Sequence, residues 1–95
     1  MKVRPVLLLT DPVGAVPEIL VAYISSVVPS RPLPSDLVLD PSKPEFQSTN
    51  LKVSSALRLH KLATIHCSSL ARYLGVTDNL IWSAVASKLK DLLKL

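Results

Sequence analysis

The sequence LKVSSALRLH at residues 51–60 has the clearest alternation in the chain. One face of this segment is mostly apolar and consists of Leu51, Val53, Ser55, Leu57 and Leu59. The other is mostly polar and consists of Lys52, Ser54, Ala56, Arg58 and His60. Because successive side chains of a strand point to opposite sides, the pattern predicts a half-buried strand. Residues 62–65 continue it, either as another short strand or as a bent extension.

Toward the N-terminus, three further segments are predicted to be strands. Residues 3–10 form an apolar run that ends at an Asp-Pro pair, and residues 18–28 (EILVAYISSVV) are apolar enough for a central strand. A loop at 29–35 contains three prolines, and a short strand follows at 36–40. Residues 41–50 are predicted to be a polar loop with one helical turn at 45–48.

Toward the C-terminus, two helices are predicted. Residues 68–74 form a short helix that Gly75 closes in a left-handed conformation. Thr77 is the predicted N-cap of the last helix, whose apolar face consists of Ile81, Val85, Leu89 and Leu92. About five short strands followed by two helices indicate an α+β, mainly β fold: a small barrel or half-barrel with a helix packed on it.

Length and composition exclude several classes of protein. The 95 residues, 10.3 kDa, are enough for a single domain over 1–95. A hydrophobic content of 48% excludes intrinsic disorder, and the single cysteine, Cys67, excludes a disulfide-stapled secreted module. The longest apolar run, residues 19–24, is far shorter than a membrane span. We therefore expect a cytoplasmic protein without a membrane partner.

Charge is distributed unevenly. Residues 1–51 carry four basic and five acidic side chains, whereas residues 52–95 carry seven basic and two acidic ones. Such a basic half favours a polyanionic partner such as nucleic acid, although solvated strand and helix faces would give the same count. The four aromatic residues are scattered, which argues against a stacking platform on a sheet.

Few motifs for catalysis are present. Two glycines cannot build a phosphate loop, and one cysteine with His60 and His66 cannot build a zinc site, so we expect neither a metal nor a cofactor. Cys67 fits a half-buried structural thiol better than a nucleophile. Arg4 opens one apolar strand and Ser25 interrupts another. Arg4 is either an exposed charge at a strand end or a functional group, and Ser25 is either a small residue on the outward face or a hydroxyl that faces a cleft.

Taken in order, the segments RPVLLLT (4–10), VAYISS (21–26), LKVSSALRLHKLATI (51–65) and SLARYLG (69–75) resemble the PemK/MazF family, the toxin components of type II toxin–antitoxin pairs. The resemblance implies an SH3-like twisted barrel with a C-terminal helix, usually a homodimer. It also implies a metal-independent endoribonuclease that cuts single-stranded RNA through attack of the ribose 2′-hydroxyl, leaving a 2′,3′-cyclic phosphate. The implied partners are single-stranded RNA and an acidic antitoxin.

Positions that match the family motif give the site predictions. Arg4 matches the arginine that holds the scissile phosphate, and Ser25 matches the hydroxyl that donates to it. RNA binding is assigned to Ser26, Arg58, His60 and Lys61. His60 is also the better candidate for a general base, with a plain surface histidine as the alternative. Ser55 matches a position that we interpret as structural.

One departure from the family leaves other functions open. Members usually carry a strand and a mobile loop before the Arg-Pro strand, and the sequence starts just ahead of Arg4, so we expect either a short member or a start upstream. Loss of that strand would expose a sheet edge. The alternatives are a catalytically inactive module that binds antitoxin, RNA or a second copy, and a gyrase-directed poison that acts through its terminal helix.

Overall fold

The long strand at residues 55–66 organises the fold. The computed structural model describes residues 5–70 and 74–95, apart from the side chain of residue 45. These residues form an antiparallel sheet of β1 (Val6–Leu8), β2 (Glu18–Ser25), β3 (Asp36–Leu39) and β4 (Ser55–His66), in the order β1-β2-β4-β3. Two short 3-10 helices (Pro44–Thr49 and Cys67–Ser69) and the helix α1 (Asn79–Leu93) complete the described part. The predicted mainly β, α+β class is confirmed, as a four-stranded half-barrel with one C-terminal helix in the described residues.

A shift in register bends β4 in its middle. Ala22 of β2 pairs with Leu62, but the next residue, Tyr23, pairs with Arg58, so residues 59–61 have no partner on β2. Extra residues in one strand increase its bend and twist. The Leu59 N–H is donated instead to the carbonyl of Ser35, at 3.1 Å. Residues 62–65 are thus the bent extension of one strand, and not a separate one.

The core lies between the sheet and α1. Its buried members are Ala22, Leu39, Leu57, Leu59, Ile81 and Val85. Ile81 and Val85 belong to the face of α1 that the sequence predicts to be apolar, and Leu89 of the same face packs at the margin of this cluster. Burial of each large aliphatic side chain contributes roughly 1.5–3 kcal/mol, so the contact between α1 and β4 holds the helix on the sheet.

The strand predictions need five corrections. Four strands, and not five, are present in the described residues, and β1 is limited to Val6–Leu8. β2 ends at Ser25, because the chain bends at once after it. β4 begins at Ser55, so residues 51–54 lie outside it. Ala56, predicted on the polar face, is fully buried, and its small side chain lies between those of its register partners, Ser25 on β2 and Val38 on β3.

The two helix predictions also change. At Cys67–Ser69 the chain makes one 3-10 turn and then becomes extended at Leu70, while residues 71–73 of the predicted helix lie outside the described residues. The N-cap of α1 is Asp78 and not Thr77: its Oδ1 accepts the N–H of Ile81 at 2.9 Å. A carboxylate is the stronger cap because it also interacts with the positive end of the helix dipole.

Gly75 does not form the predicted left-handed cap and has a different structural role. Its φ is not positive, but a Cβ at this position would collide with the backbone of Ser48 and Thr49. The neighbouring N–H of Val76 is donated to the Ser48 carbonyl at 2.8 Å. Glycine is therefore required by the close approach of two backbone segments, and this contact fixes the chain just before α1.

Two smaller expectations concern single side chains. Ser55 is 3% exposed, and its Oγ donates to the carbonyl of Val53 at 3.0 Å, which confirms its structural interpretation. Cys67 is a free, half-buried thiol. Across the described ranges, no helix is both long and apolar enough to cross a bilayer.

Candidate functional site

A groove opens where the register of β2 and β4 shifts. It has a volume of about 240 Å³ and is lined by Tyr23, Ile24, Ser25, Arg58 and Lys61. We call it the Ser25 groove. The last residues of β2 form one wall, and the bent part of β4 forms the other. Three of the predicted site residues, Ser25, Arg58 and Lys61, are therefore brought together, although 33 positions separate Ser25 from Arg58 in the sequence.

Ser25 has a hydroxyl proton that is available to a ligand. Its Oγ accepts the N–H of Val27 at 3.1 Å, which fixes the side chain at the turn after β2. A serine hydroxyl is both donor and acceptor, so an Oγ that accepts from the backbone still has its proton to donate. Ser26 lies in the bend directly after Ser25 and is exposed.

Arg58 is held by a buried carboxylate. Its Nε donates to Oδ1 of Asp36 at 2.5 Å, and the side chains are 20% and 0% exposed respectively. Asp36 is the register partner of Arg58 on β3, and Tyr23 is its partner on β2. The guanidinium thus lies at the centre of a row of three side chains that crosses three strands.

The lining of the Ser25 groove is cationic. Arg58 and Lys61 supply two positive charges, and none of the described residues that line it is acidic. Lys61 is exposed and stands on the segment of β4 without a partner on β2. A groove with this lining is suited to holding an anion whose oxygens can accept hydrogen bonds from a guanidinium, an ammonium and a hydroxyl.

His60 lies in a second groove. This His60 groove, of about 480 Å³, is lined by Leu33, Pro34, Ser35, His60, Lys88, Asp91 and Leu92. His60 Nδ1 is 2.8 Å from the Oγ of Ser35 and 3.8 Å from Oδ1 of Asp36. Lys61 lines the Ser25 groove and His60 lines this one, and both belong to residues 59–61, which have no partner on β2. Of the predicted RNA-binding set, Arg58 and Lys61 thus line the Ser25 groove and His60 lines the His60 groove, whereas Ser26 lines neither.

Arg4 lies outside the residues that the structure describes. Pro5, the next residue, has a carbonyl that accepts the N–H of Ile24 at 3.3 Å, so the chain enters β1 beside the Ser25 groove. The second histidine, His66, caps a turn instead: its Nδ1 accepts the N–H of Ser68 at 3.0 Å. Within the described residues, no group of three or more His, Cys, Asp or Glu side chains is placed to hold a metal ion.

Sequence reasoning missed two residues of this region. In the sequence, Tyr23 is only one of four scattered aromatic residues. The register of the sheet places it opposite Arg58. Asp36 was only the first residue of a short strand. A carboxylate at the start of an apolar strand, after a proline-rich loop, is a weak signal for a buried acid that needs a cationic partner.

Comparisons with known proteins agree with this fold. The structure is similar to the Mycobacterium tuberculosis toxin MazF-mt6, with a TM-score of 0.77 and 25% identity over 97% of this chain and 87% of that chain. A crystal structure of an Mtb toxin has a TM-score of 0.74 and 25% identity over 93% and 90% of the two chains. No curated protein matches the sequence.

A family model decides the assignment. The model of the PemK-like, MazF-like toxins of type II toxin–antitoxin systems matches residues 1–93. The match covers nearly the whole chain, including the segments that form β1 to β4 and α1. The chain therefore belongs to the PemK-like, MazF-like family of toxins of type II toxin–antitoxin systems, which implies an antitoxin as its partner.

Proposed function

We propose that this toxin is an endoribonuclease that cuts single-stranded RNA, and that the Ser25 groove holds the phosphate at the cleaved bond. The observation that carries the proposal is the convergence of the Ser25 hydroxyl with Arg58 and Lys61 in one groove. Membership of the toxin family supports the same activity, because the sequence resemblance implies ribonuclease chemistry. Arg4 is proposed as a further phosphate ligand on the strength of the sequence motif.

The reaction needs charge stabilisation more than a nucleophile from the protein. The ribose 2′-oxygen attacks phosphorus and loses its proton, the bond from phosphorus to the 5′-oxygen breaks, and that oxygen is protonated. The products are a 2′,3′-cyclic phosphate and a 5′-hydroxyl. Negative charge grows on the non-bridging oxygens in the transition state, where Arg58, Lys61 and the Ser25 hydroxyl would stabilise it. No side chain is assigned as the base.

The proposed partners follow from the same groove. RNA would continue from it past Ser26, and the acidic segment of an antitoxin would compete with RNA for the positive charges of Arg58 and Lys61. His60, in the other groove, would contact RNA only if the strand passes around the bend of β4. We also propose that the chain acts as one domain and forms a homodimer, supported by apolar side chains that α1 leaves exposed.

An RNA cleavage assay in EDTA tests the proposal. A long single-stranded RNA is incubated with the protein, and new 5′-hydroxyl ends are mapped. We expect discrete cuts that Arg4→Ala and Ser25→Ala reduce by roughly a hundredfold, since each removes a ligand of the transition state. Ser87→Ala is the matched control, because Ser87 is exposed on α1, far along the chain from the groove.

Two results would contradict it. A folded protein that binds RNA or antitoxin without cutting would be an inactive binding module. Toxicity that survives Ser25→Ala but disappears when the end of α1 is shortened, with the fold retained by circular dichroism, would favour the gyrase-directed alternative.

A further inference from the structure

Asp36 has an environment that ordinary strand packing does not explain. Its side chain is fully buried, and ionised carboxylates are seldom buried without partners. Oδ1 accepts from Arg58 Nε at 2.5 Å, and Oδ2 accepts from the backbone N–H of Leu33 at 2.9 Å. The imidazole of His60 is 3.8 Å from Oδ1. Both oxygens of Asp36 are therefore engaged, one by the loop before β3 and one by the guanidinium in the Ser25 groove.

The ion pair with Asp36 engages only one of the N–H donors of the Arg58 guanidinium. Arginine has five N–H donors in a planar fork, and Asp36 engages the one on Nε. Among the described residues, the structure records no other hydrogen bond from this guanidinium. Because the side chain is still 20% exposed and lines the groove, the terminal nitrogens are free to meet a ligand there. The carboxylate thus fixes the plane of the fork without occupying its outer edge.

We propose that Asp36 is a positioning residue for RNA cleavage: it holds Arg58 so that its terminal nitrogens face the scissile phosphate in the Ser25 groove. This inference rests on the proposed ribonuclease function and adds a residue that touches neither RNA nor the reacting atoms. An arginine that must order its long side chain during the reaction is a weaker catalyst than one already held in place, because misplacement of a catalytic group lowers the rate steeply.

Positioning and simple electrostatics predict different results. Loss of the Asp36 charge makes the groove more positive, which by itself strengthens RNA binding. Loss of positioning slows cleavage by RNA-saturated enzyme. For Asp36→Asn we therefore expect kcat to fall by about tenfold or more, while KM stays the same or decreases. Asp40→Asn is the matched control: it makes the same chemical change just beyond β3, at a carboxyl whose bonds are to Ser42.

A double-mutant cycle separates this function from support of the loop. If Asp36 acts through Arg58, Asp36→Asn should change kcat by less than about twofold in an Arg58→Gln background. If it only holds the loop at Leu33, the loss should be equal in both backgrounds, and the proposal is wrong. Should Asp36→Asn fail to fold, Arg58→Lys provides the second test. It keeps the charge but not the fork, so we expect a similar loss of kcat, and an unchanged kcat would overturn the proposal.

An NMR measurement tests whether Asp36 positions Arg58, even if the wild-type protein does not cut RNA. In the ¹⁵N-labelled full chain, the Nε–H signal of Arg58 should exchange slowly with water, and an uncleavable oligonucleotide with 2′-deoxyribose should shift it. In Asp36→Asn, the signal should exchange fast and the shift should be lost. No shift in the wild type, or the same shift in Asp36→Asn, overturns the positioning proposal, whereas absence of cleavage alone overturns the proposed function.

Discussion

Tyr23 and Arg58 are register partners across β2 and β4, directly after the shift that leaves residues 59–61 without partners on β2. Both line the Ser25 groove, and Tyr23 is 40% exposed. An aromatic ring beside a guanidinium combines a surface for base stacking with a ligand for phosphate. The sheet register, and not proximity in the sequence, creates this combination.

Tyr23 should therefore contribute to RNA binding through its ring. Base stacking on an aromatic side chain is worth about 1–3 kcal/mol, so Tyr23→Ala should weaken binding of a single-stranded RNA by about tenfold in fluorescence anisotropy. Tyr23→Phe keeps the ring and should bind nearly as the wild type does. Equal loss in both variants would assign the effect to the hydroxyl and would contradict stacking.

Much of the fold follows from local pattern. The alternation around Leu57 and Leu59 identified the central strand, and the spacing of Ile81 and Val85 identified the buried face of α1. These features depend on periodicity, which a sequence displays directly. The 3-10 turn at Pro44–Thr49 also lies where a helical turn was predicted.

The remaining features depend on contacts distant in sequence. A glycine after a predicted helix is typical of a C-cap, but Gly75 is required for another reason: the backbone of Ser48 passes so close that only glycine fits. The pairing of Asp36 with Arg58, and the division of His60 from Lys61, follow from where β4 bends. No local pattern shows a register shift, so the family motif gave candidate residues, and the topology gave their grouping.

The close approach at Gly75 predicts a large cost for a small substitution. Gly75→Ala adds a Cβ that collides with the backbone of Ser48 and Thr49, and neither can move as a flexible side chain would. We expect the free energy of unfolding, measured by urea denaturation, to decrease by about 1–3 kcal/mol. Val76→Ala is the control, because Val76 is 69% exposed and should change stability by less than ~0.5 kcal/mol.

The free energy of unfolding of Gly75→Ala could instead lie within about 0.5 kcal/mol of the wild-type value, which is the size of effect expected for an exposed substitution. That result would show that the backbone at Gly75 and the backbone at Ser48 can move apart at little cost. It would contradict the interpretation of Gly75 as a point of close approach.

Asp40 should titrate below the ordinary range of an aspartate. The Ser42 hydroxyl donates to its Oδ1 at 2.7 Å and the Ser42 N–H donates at 3.0 Å, and these bonds lower the pKa of Asp40 from 3.8. Because the folded pKa lies below the unfolded one, this stabilisation is present above the unfolded pKa and is lost as pH falls through the folded pKa. Carboxyl ¹³C NMR titration of the native protein measures the folded pKa, and titration of the denatured chain measures the unfolded one.

Ser42→Ala removes the larger cause and should raise the pKa of Asp40 toward 3.8. Lys43→Gln removes the smallest cause and should move the pKa less. A larger shift in Lys43→Gln than in Ser42→Ala would show that charge, and not the hydroxyl, controls this carboxyl.

Self-association should depend on an exposed stripe of α1. Trp82 and Leu93, which are 43% and 53% exposed, lie eleven residues apart and so on one side of the helix, at the edge of the face that carries buried Ile81 and Val85. Burial of this stripe against a second copy would remove apolar surface from water. We expect light scattering to give twice the chain mass of 10.3 kDa, and Trp82→Ser with Leu93→Ser to give the chain mass itself. Leu95→Ser is the control, since Leu95 is 81% exposed but lies beyond α1.

A wild-type protein with the single-chain mass at every concentration would contradict the homodimer, and a dimer that survives the double substitution would place its interface elsewhere.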